Sequence, residues 1–124
     1  MPKKTEYSIY VIELDKKVLK HKKFKEKNPD YNPEKPCVYV GETSLTPEER
    51  FHIHQTKGKS KKGISLHNPF AYKYGIRLKP RLYKSHNPMG SAKEATKMEE
   101  EKARRLRKRG YGVWGGDAKK GITK

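Results

Sequence analysis

Two short runs decide what this chain can fold around. Tyr7–Leu14 reads Tyr-Ser-Ile-Tyr-Val-Ile-Glu-Leu, and Cys37–Gly41 reads Cys-Val-Tyr-Val-Gly. Both are dense in β-branched and aromatic residues, which predicts two strands, the second short and buried. Elsewhere apolar residues are thin: Ile, Leu, Val and Phe number 21 of 124 residues, against a net charge of +17. At about 17% they fall below the roughly 20% level where a highly charged chain tends to disorder. That leaves a disordered basic tail or a small folded domain that grips polyanions. Eight Tyr and one Trp favour the folded domain, because Tyr can bury its ring while the hydroxyl stays paired or wet. No run approaches the roughly 18 apolar residues of a membrane span, and the length suits one domain with a small core. A single cysteine, Cys37, excludes an intrachain disulfide and fits a reducing compartment. No apolar segment of signal-peptide type follows Met1–Lys4. The expectation is a cytoplasmic protein, nucleoid-associated if bacterial.

The rest of the chain is organised around those two runs as a single domain, residues 1–124. Residues 15–36 are rich in Lys and hold Asn28-Pro29, Asn32-Pro33 and Lys35-Pro36, which predicts a basic surface insertion with one helical turn near Val18 and Leu19. Thr46-Pro47-Glu48-Glu49 is a helix start with a capping box, and the helix should run to about Lys57. Asn68-Pro69 can cap a short helix through Tyr74. Ile76–Tyr83 alternates, with Ile76, Leu78, Pro80 and Leu82 on one face and Arg77, Lys79, Arg81 and Tyr83 on the other, so a half-buried strand at an edge or bulge is expected. Ser91–Arg109 is the longest helix, capped by Ser91 with Glu94 at N3 and ended by Gly110. Its stripe is Ala92, Ala95, Met98, Ala103 and Leu106. Tyr111–Trp114 can form a last short strand, and 117–124 reads as a loose basic tail.

The charge names the partner class. A domain this basic is attracted to phosphate polymers before any specific contact forms. Lys outnumbers Arg 24 to 7, which favours phosphate tracking over bidentate base reading. Lys57, Lys59, Lys61, Lys62, Arg77, Lys79 and Arg81 are the expected phosphate-facing residues. A few side chains point to chemistry. Tyr10 and Tyr39 lie in the two predicted strands, and pairing would bring their hydroxyls to one cleft. Arg50 and His54 share a helix face. Glu99 flanks the apolar stripe of the long helix, where a carboxylate needs a metal ion or Arg50 as partner. Phosphodiester hydrolysis needs such parts: a base for water, a cation for developing charge, a metal at the phosphate. Taken one at a time, the tyrosines would be core residues, Arg50 and His54 a solvated helix face, and Glu99 a salt-bridge partner. His52, His54, Cys37 and His67 have no closed zinc spacing.

Ser8-Ile9-Tyr10 and Tyr39-Val40-Gly41 resemble the paired motifs of the GIY-YIG nuclease family, with Ser8 for Gly and Val40 for Ile. Arg50, eleven residues after Tyr39, resembles that family's helix arginine, and His54 matches a position where several members carry His. Ala95-Xaa-Xaa-Met98-Glu99 resembles the segment with the metal-binding Glu. The order fits from Tyr7 to Trp114. The resemblance implies an α+β domain with a small central three-stranded antiparallel sheet flanked by helices. It implies one divalent metal, Mg²⁺ or Mn²⁺, held by Glu99. Tyr10 or Tyr39 would help activate the water, Arg50 would stabilise the phosphate, and His54 would support as acid or base. Many members carry Asn soon after the Tyr of the last strand, where this chain has Gly112, which implies a substitute amide such as Asn87 or Asn68, or a weakened enzyme. The expected function is DNA endonuclease, and RNA is not excluded as substrate. A domain this small would cut with low specificity, act as a homodimer, or take specificity from a partner protein. The alternatives are a non-catalytic nucleic-acid-binding module that keeps the fold, and a structural RNA-binding or ribosome-associated protein.

Overall fold

The structure, a computed structural model, describes residues 6–44, 46–56 and 73–115, with the backbone alone at 53–56. The two apolar runs are its two central strands. β1 (Ser8–Leu14) pairs antiparallel with β2 (Cys37–Thr43), Tyr10 opposite Gly41 and Ile12 opposite Tyr39. β3 (Gly75–Leu78) joins the free edge of β1 antiparallel, and β4 (Gly112–Gly115) joins β2 in parallel. The sheet order is β3-β1-β2-β4. The expected α+β class holds, but the sheet is mixed and four-stranded rather than three-stranded and antiparallel. The difference lies in β4: α3 (Ala92–Lys108) returns the chain so that β4 runs alongside β2 in the same direction. β1 and β2 are buried along almost their whole length because both are interior strands. No helix among the described residues is long and apolar enough to cross a membrane.

The helices begin where capping chemistry puts them. Thr46 Oγ1 accepts from Glu49 N at 3.1 Å and Thr46 N donates to Glu49 Oε1 at 2.9 Å, the reciprocal box that opens α2 (Pro47–Thr56). Ser91 Oγ accepts from Glu94 N at 3.1 Å to open α3. At the other end Gly110 N donates to Arg107 O and Tyr111 N to Leu106 O, both at 3.0 Å. Those two bonds close a Schellman turn, and Gly110 takes the left-handed φ of 95° it requires. A Cβ there would also lie 2.9 Å from Asn32 Cβ. Gly110→Ala is therefore expected to cost about 2 kcal/mol, read as a lower urea midpoint with unchanged slope.

The stretch 15–36 is less of a surface loop than its composition suggests. It forms a 3-10 turn (Lys16–Lys20), in which Asp15 Oδ1 accepts from Lys17 N, and then the short α1 (Lys22–Lys27). Its lysines are mostly exposed, but Val18 and Phe24 are fully buried in the core. Burial of two such side chains outweighs the polarity of the surrounding sequence, at about 1.5–3 kcal/mol each. Phe24 stacks on Trp114 with ring centroids 6.3 Å apart. It also fills the space above Gly112, where a Cβ would come within 2.9 Å of its ring. Asn28, buried just past α1, completes the join. Its Oδ1 accepts from Val113 N at 2.8 Å and from Arg107 Nε at 3.2 Å. Its Nδ2 donates to Val113 O at 3.0 Å and Phe24 O at 2.8 Å. One side-chain amide thus acts as a strand partner for the outer edge of β4, which would otherwise be open.

The expected strand over 76–83 is shorter and turned differently. It ends at Leu78, and Pro80 starts a 3-10 turn (Pro80–Leu82), since Pro cannot donate to a sheet ladder. As a result Ile76, expected inside, is 41% exposed, and Tyr83, expected outside, is buried. In the α3 stripe, Ala92 is exposed and Met98 half-buried, while Ala95, Glu99, Ala103 and Leu106 are buried. Glu99 therefore lies within the inward row instead of flanking it. Tyr10, Tyr74 and Tyr83 are core members, so tyrosine does supply the missing aliphatic volume. The short helix expected at 68–74 and the tail at 117–124 fall largely outside the described residues.

Candidate functional site

Four elements bring four of the sequence-selected side chains together. Tyr10 of β1 and Tyr39 of β2 are diagonal neighbours on one sheet face, because Tyr10 is paired with Gly41, two residues beyond Tyr39. Their ring centroids are 6.0 Å apart at an angle of 48°. The Tyr10 hydroxyl is hydrogen-bonded to the Arg50 guanidinium of α2, which donates, and to the Tyr39 hydroxyl. Glu99 of α3, only 5% exposed, is close enough for its charge to act on both phenols. Arg50 Nε is buried and has no hydrogen-bond partner among the described residues.

Gly41 is what lets Tyr10 reach this position. A Cβ on it would sit 2.6 Å from both Cζ and the hydroxyl oxygen of Tyr10, so any larger residue would push the phenol out of the cluster. Two ties that the sequence did not reveal hold the frame. Asn87 Nδ2 donates to Ile9 O at 2.8 Å, and Asn87 Oδ1 accepts from Ile9 N at 2.9 Å, pinning β1 beside Tyr10. Thr96 Oγ1 donates to Glu42 Oε2 at 2.5 Å, fixing α3 against β2 one turn before Glu99. Both are long-range contacts through short polar side chains, which no local pattern signals. Asn87, considered as a substitute amide for a phosphate, is committed to the β1 backbone instead.

Burial raises both phenols of the cluster. It pushes the Tyr10 phenol up to about 12, while Arg50 and the bond with Tyr39 pull it down. Burial pushes Tyr39 well above the ordinary value, and the neighbouring Tyr10 and the charge of Glu99 push it further the same way. Both phenols keep their protons at neutral pH. Tyr31 and Tyr83 are likewise raised to about 12, chiefly by burial. For such groups the folded state holds its proton more tightly than the unfolded chain. The stability this contributes is present below about pH 10 and is lost as pH climbs through about 12. The urea midpoint is expected to be insensitive to these phenols up to about pH 9 and to fall between about pH 10 and 12. Tyr10→Phe should reduce that fall, and tyrosinate absorbance during an alkaline titration checks the timing.

The other selected residues are more scattered. His54 lies one turn after Arg50 on the α2 backbone, its side chain outside the described residues; His52 is exposed. Arg77 and Lys79 converge on Glu13, at 2.5 and 3.8 Å, so part of their charge is matched within the protein. Arg81 is exposed on the turn after β3. Lys57, Lys59, Lys61, Lys62 and Asn68 lie outside the described residues. Among the described residues no group of three His, Cys, Asp or Glu side chains is placed to hold a metal. Glu99 supplies a carboxylate at this cluster, the kind of hard oxygen ligand through which Mg²⁺ or Mn²⁺ binds while keeping several waters. The chain matches no family model, and no curated protein or solved structure matches it significantly.

Proposed function

We propose that this chain is a metal-dependent endonuclease of the GIY-YIG type that hydrolyses DNA phosphodiester bonds. The observation that supports it is the convergence of Tyr10, Tyr39, Arg50 and Glu99, from β1, β2, α2 and α3, in one cluster on a chain of net charge +17. In this reading Glu99 holds a Mg²⁺ or Mn²⁺ ion, which when bound polarises the phosphate and the leaving oxygen. Arg50 places its positive charge where the phosphorane's negative charge develops. Tyr10 orients the attacking water through its hydroxyl, and Tyr39 supports it through the bond between the two hydroxyls. Because Tyr10 is protonated at neutral pH, it positions the water without taking its proton, which passes to His54 as the base. His54, on the same helix as Arg50, is the supporting acid or base. The protein acts in the cytoplasm on this reading, with specificity supplied by a second copy or a partner protein.

The rival is a non-catalytic nucleic-acid-binding module with the same fold. Gly112 stands where the family pattern carries Asn and is occupied by packing against Phe24, and Asn87 is occupied by Ile9. Those commitments favour a site that lacks one phosphate contact. Cleavage separates the two. Supercoiled plasmid and a structured RNA are each incubated with Mg²⁺, Mn²⁺ or EDTA. Nicked plasmid with metal and none with EDTA supports the endonuclease. Salt-sensitive binding with no cleavage of either substrate by wild-type protein would overturn it in favour of the binding module.

A further inference from the structure

A second basic feature lies away from the tyrosine cluster. The end of α1 and the last turns of α3 enclose a pocket of about 300 Å³, lined by Lys27, Arg104, Arg107 and Lys108, with Asp30 as its acid and the ring of Tyr111 on its wall. At 100° per residue, Arg104 and Lys108 point about 140° and 180° around α3 from Glu99, so this pocket opens on the opposite side of the helix from the candidate catalytic cluster.

Basic residues at a helix C-terminus have an ordinary explanation, since they offset the carbonyl end of the dipole. Here two helix ends converge, each contributing at most about half a negative charge. Set against four cations and one carboxylate, that leaves the groups lining the pocket with a net charge of about +2. Arg104 lies 3.7 Å from Glu101, an exposed contact that does little to neutralise it. Arg107 is held in place: Nε donates to Asn28 Oδ1 at 3.2 Å and Nη2 to Val113 O at 3.0 Å, both neutral acceptors. A guanidinium anchored through a buried amide costs little further ordering when an anion arrives. Tyr111 is half-buried, with Lys35 Nζ 5.7 Å from its ring centroid. Its ring offers a stacking surface beside the cations, the combination that receives a base next to its phosphate.

We infer that this pocket binds a nucleotide through its phosphate monoester, with Arg104, Arg107 and Lys108 on the phosphate and Tyr111 beside the base. The volume fits one nucleotide, at the lower end of small-molecule sites. The inference concerns binding alone and does not depend on hydrolysis at the tyrosine cluster.

The test uses the full chain in EDTA, so that cleavage plays no part. Binding of AMP, adenosine and inorganic phosphate is followed by calorimetry and by backbone amide shifts. Three proteins are compared: wild type, the doubly substituted Arg104→Ala/Lys108→Ala, and Lys22→Ala/Lys23→Ala. All four of those side chains are exposed, so both variants should fold, and each removes the same charge. The expected result is AMP binding at least about tenfold tighter than adenosine, with shifts at residues 27–31 and 104–111. Arg104→Ala/Lys108→Ala should lose that margin, and Lys22→Ala/Lys23→Ala should keep it. AMP and adenosine binding alike, or equal losses in both variants, would overturn the inference and leave only a diffuse basic surface. Hexanucleotides with and without a 5′-phosphate identify the source: preference for the phosphorylated strand assigns a strand end, and binding of AMP alone assigns a free nucleotide. Both outcomes support the pocket, and plasmid nicking bears on neither.

Discussion

Arg50→Ala is expected to slow metal-dependent nicking by about 10²–10³-fold. Arg50 donates to the Tyr10 oxygen and is the cation whose charge acts on both phenols. Alanine removes the cation at the developing phosphate charge and the charge that holds the Tyr10 phenol lower than burial alone would. Glu99→Gln, which keeps the shape of a buried side chain and removes its charge, should be at least as damaging, because it deletes the carboxylate that would hold the metal. Both variants should still bind duplex DNA with a similar salt slope, since most of the chain's positive charge is untouched. Single-turnover nicking and salt-dependent binding are measured side by side. Wild-type nicking by both variants would sink the assignment of roles. Loss of binding with unchanged cleavage of bound DNA would make Arg50 a grip and not a catalytic residue.

The largest effect on stability is expected at Asn28. It is 5% exposed and makes four hydrogen bonds, two of them to the N–H and C=O of Val113. Asn28→Ala leaves Val113 N without its acceptor and Phe24 O without this donor, while Val113 O keeps the bond from Arg107 Nη2, and unsatisfied buried groups cost about 1–3 kcal/mol each. A total near 3 kcal/mol is expected, a large share of the stability of a small domain. Asn28→Asp keeps the acceptors for Val113 N and Arg107 but cannot donate, so an intermediate loss is expected. Urea melts give the energies, and hydrogen exchange at Val113 locates the damage. Slow, wild-type exchange there in Asn28→Ala would show that the amide is not what closes the edge.

Local signals were legible in the sequence and long-range ones were not. The capping box at Thr46, the Ser91 cap, the Gly110 stop and both central strands follow from the chemistry of a few adjacent residues. Tyr10, Tyr39, Arg50 and Glu99 could be selected because their spacing, together with a family resemblance, placed each on a strand or helix facing inward. The parallel sense of β4 depends on how α3 packs, which no spacing encodes. Lysines dominate the count in residues 15–36 and suggest a solvated insertion, whereas Val18, Phe24 and Asn28 decide the structure. Pro80 suggests an edge or bulge, but its missing donor ends β3 and inverts the sidedness of Ile76 and Tyr83.

The join between Asn28 and Val113 spans 85 positions of sequence, and that separation has a consequence for biosynthesis. Emerging from the ribosome, the chain releases β1, α1 and β2 well before β4, the last of the four described strands, so the outer edge of β2 must wait. Until then Phe24 has no Gly112 to pack on, and an unpaired strand edge is open to other chains. β4 seals this sheet, so a polypeptide stopped a few residues short of Gly112 would carry all four cluster residues and still fail to hold them in one stable domain.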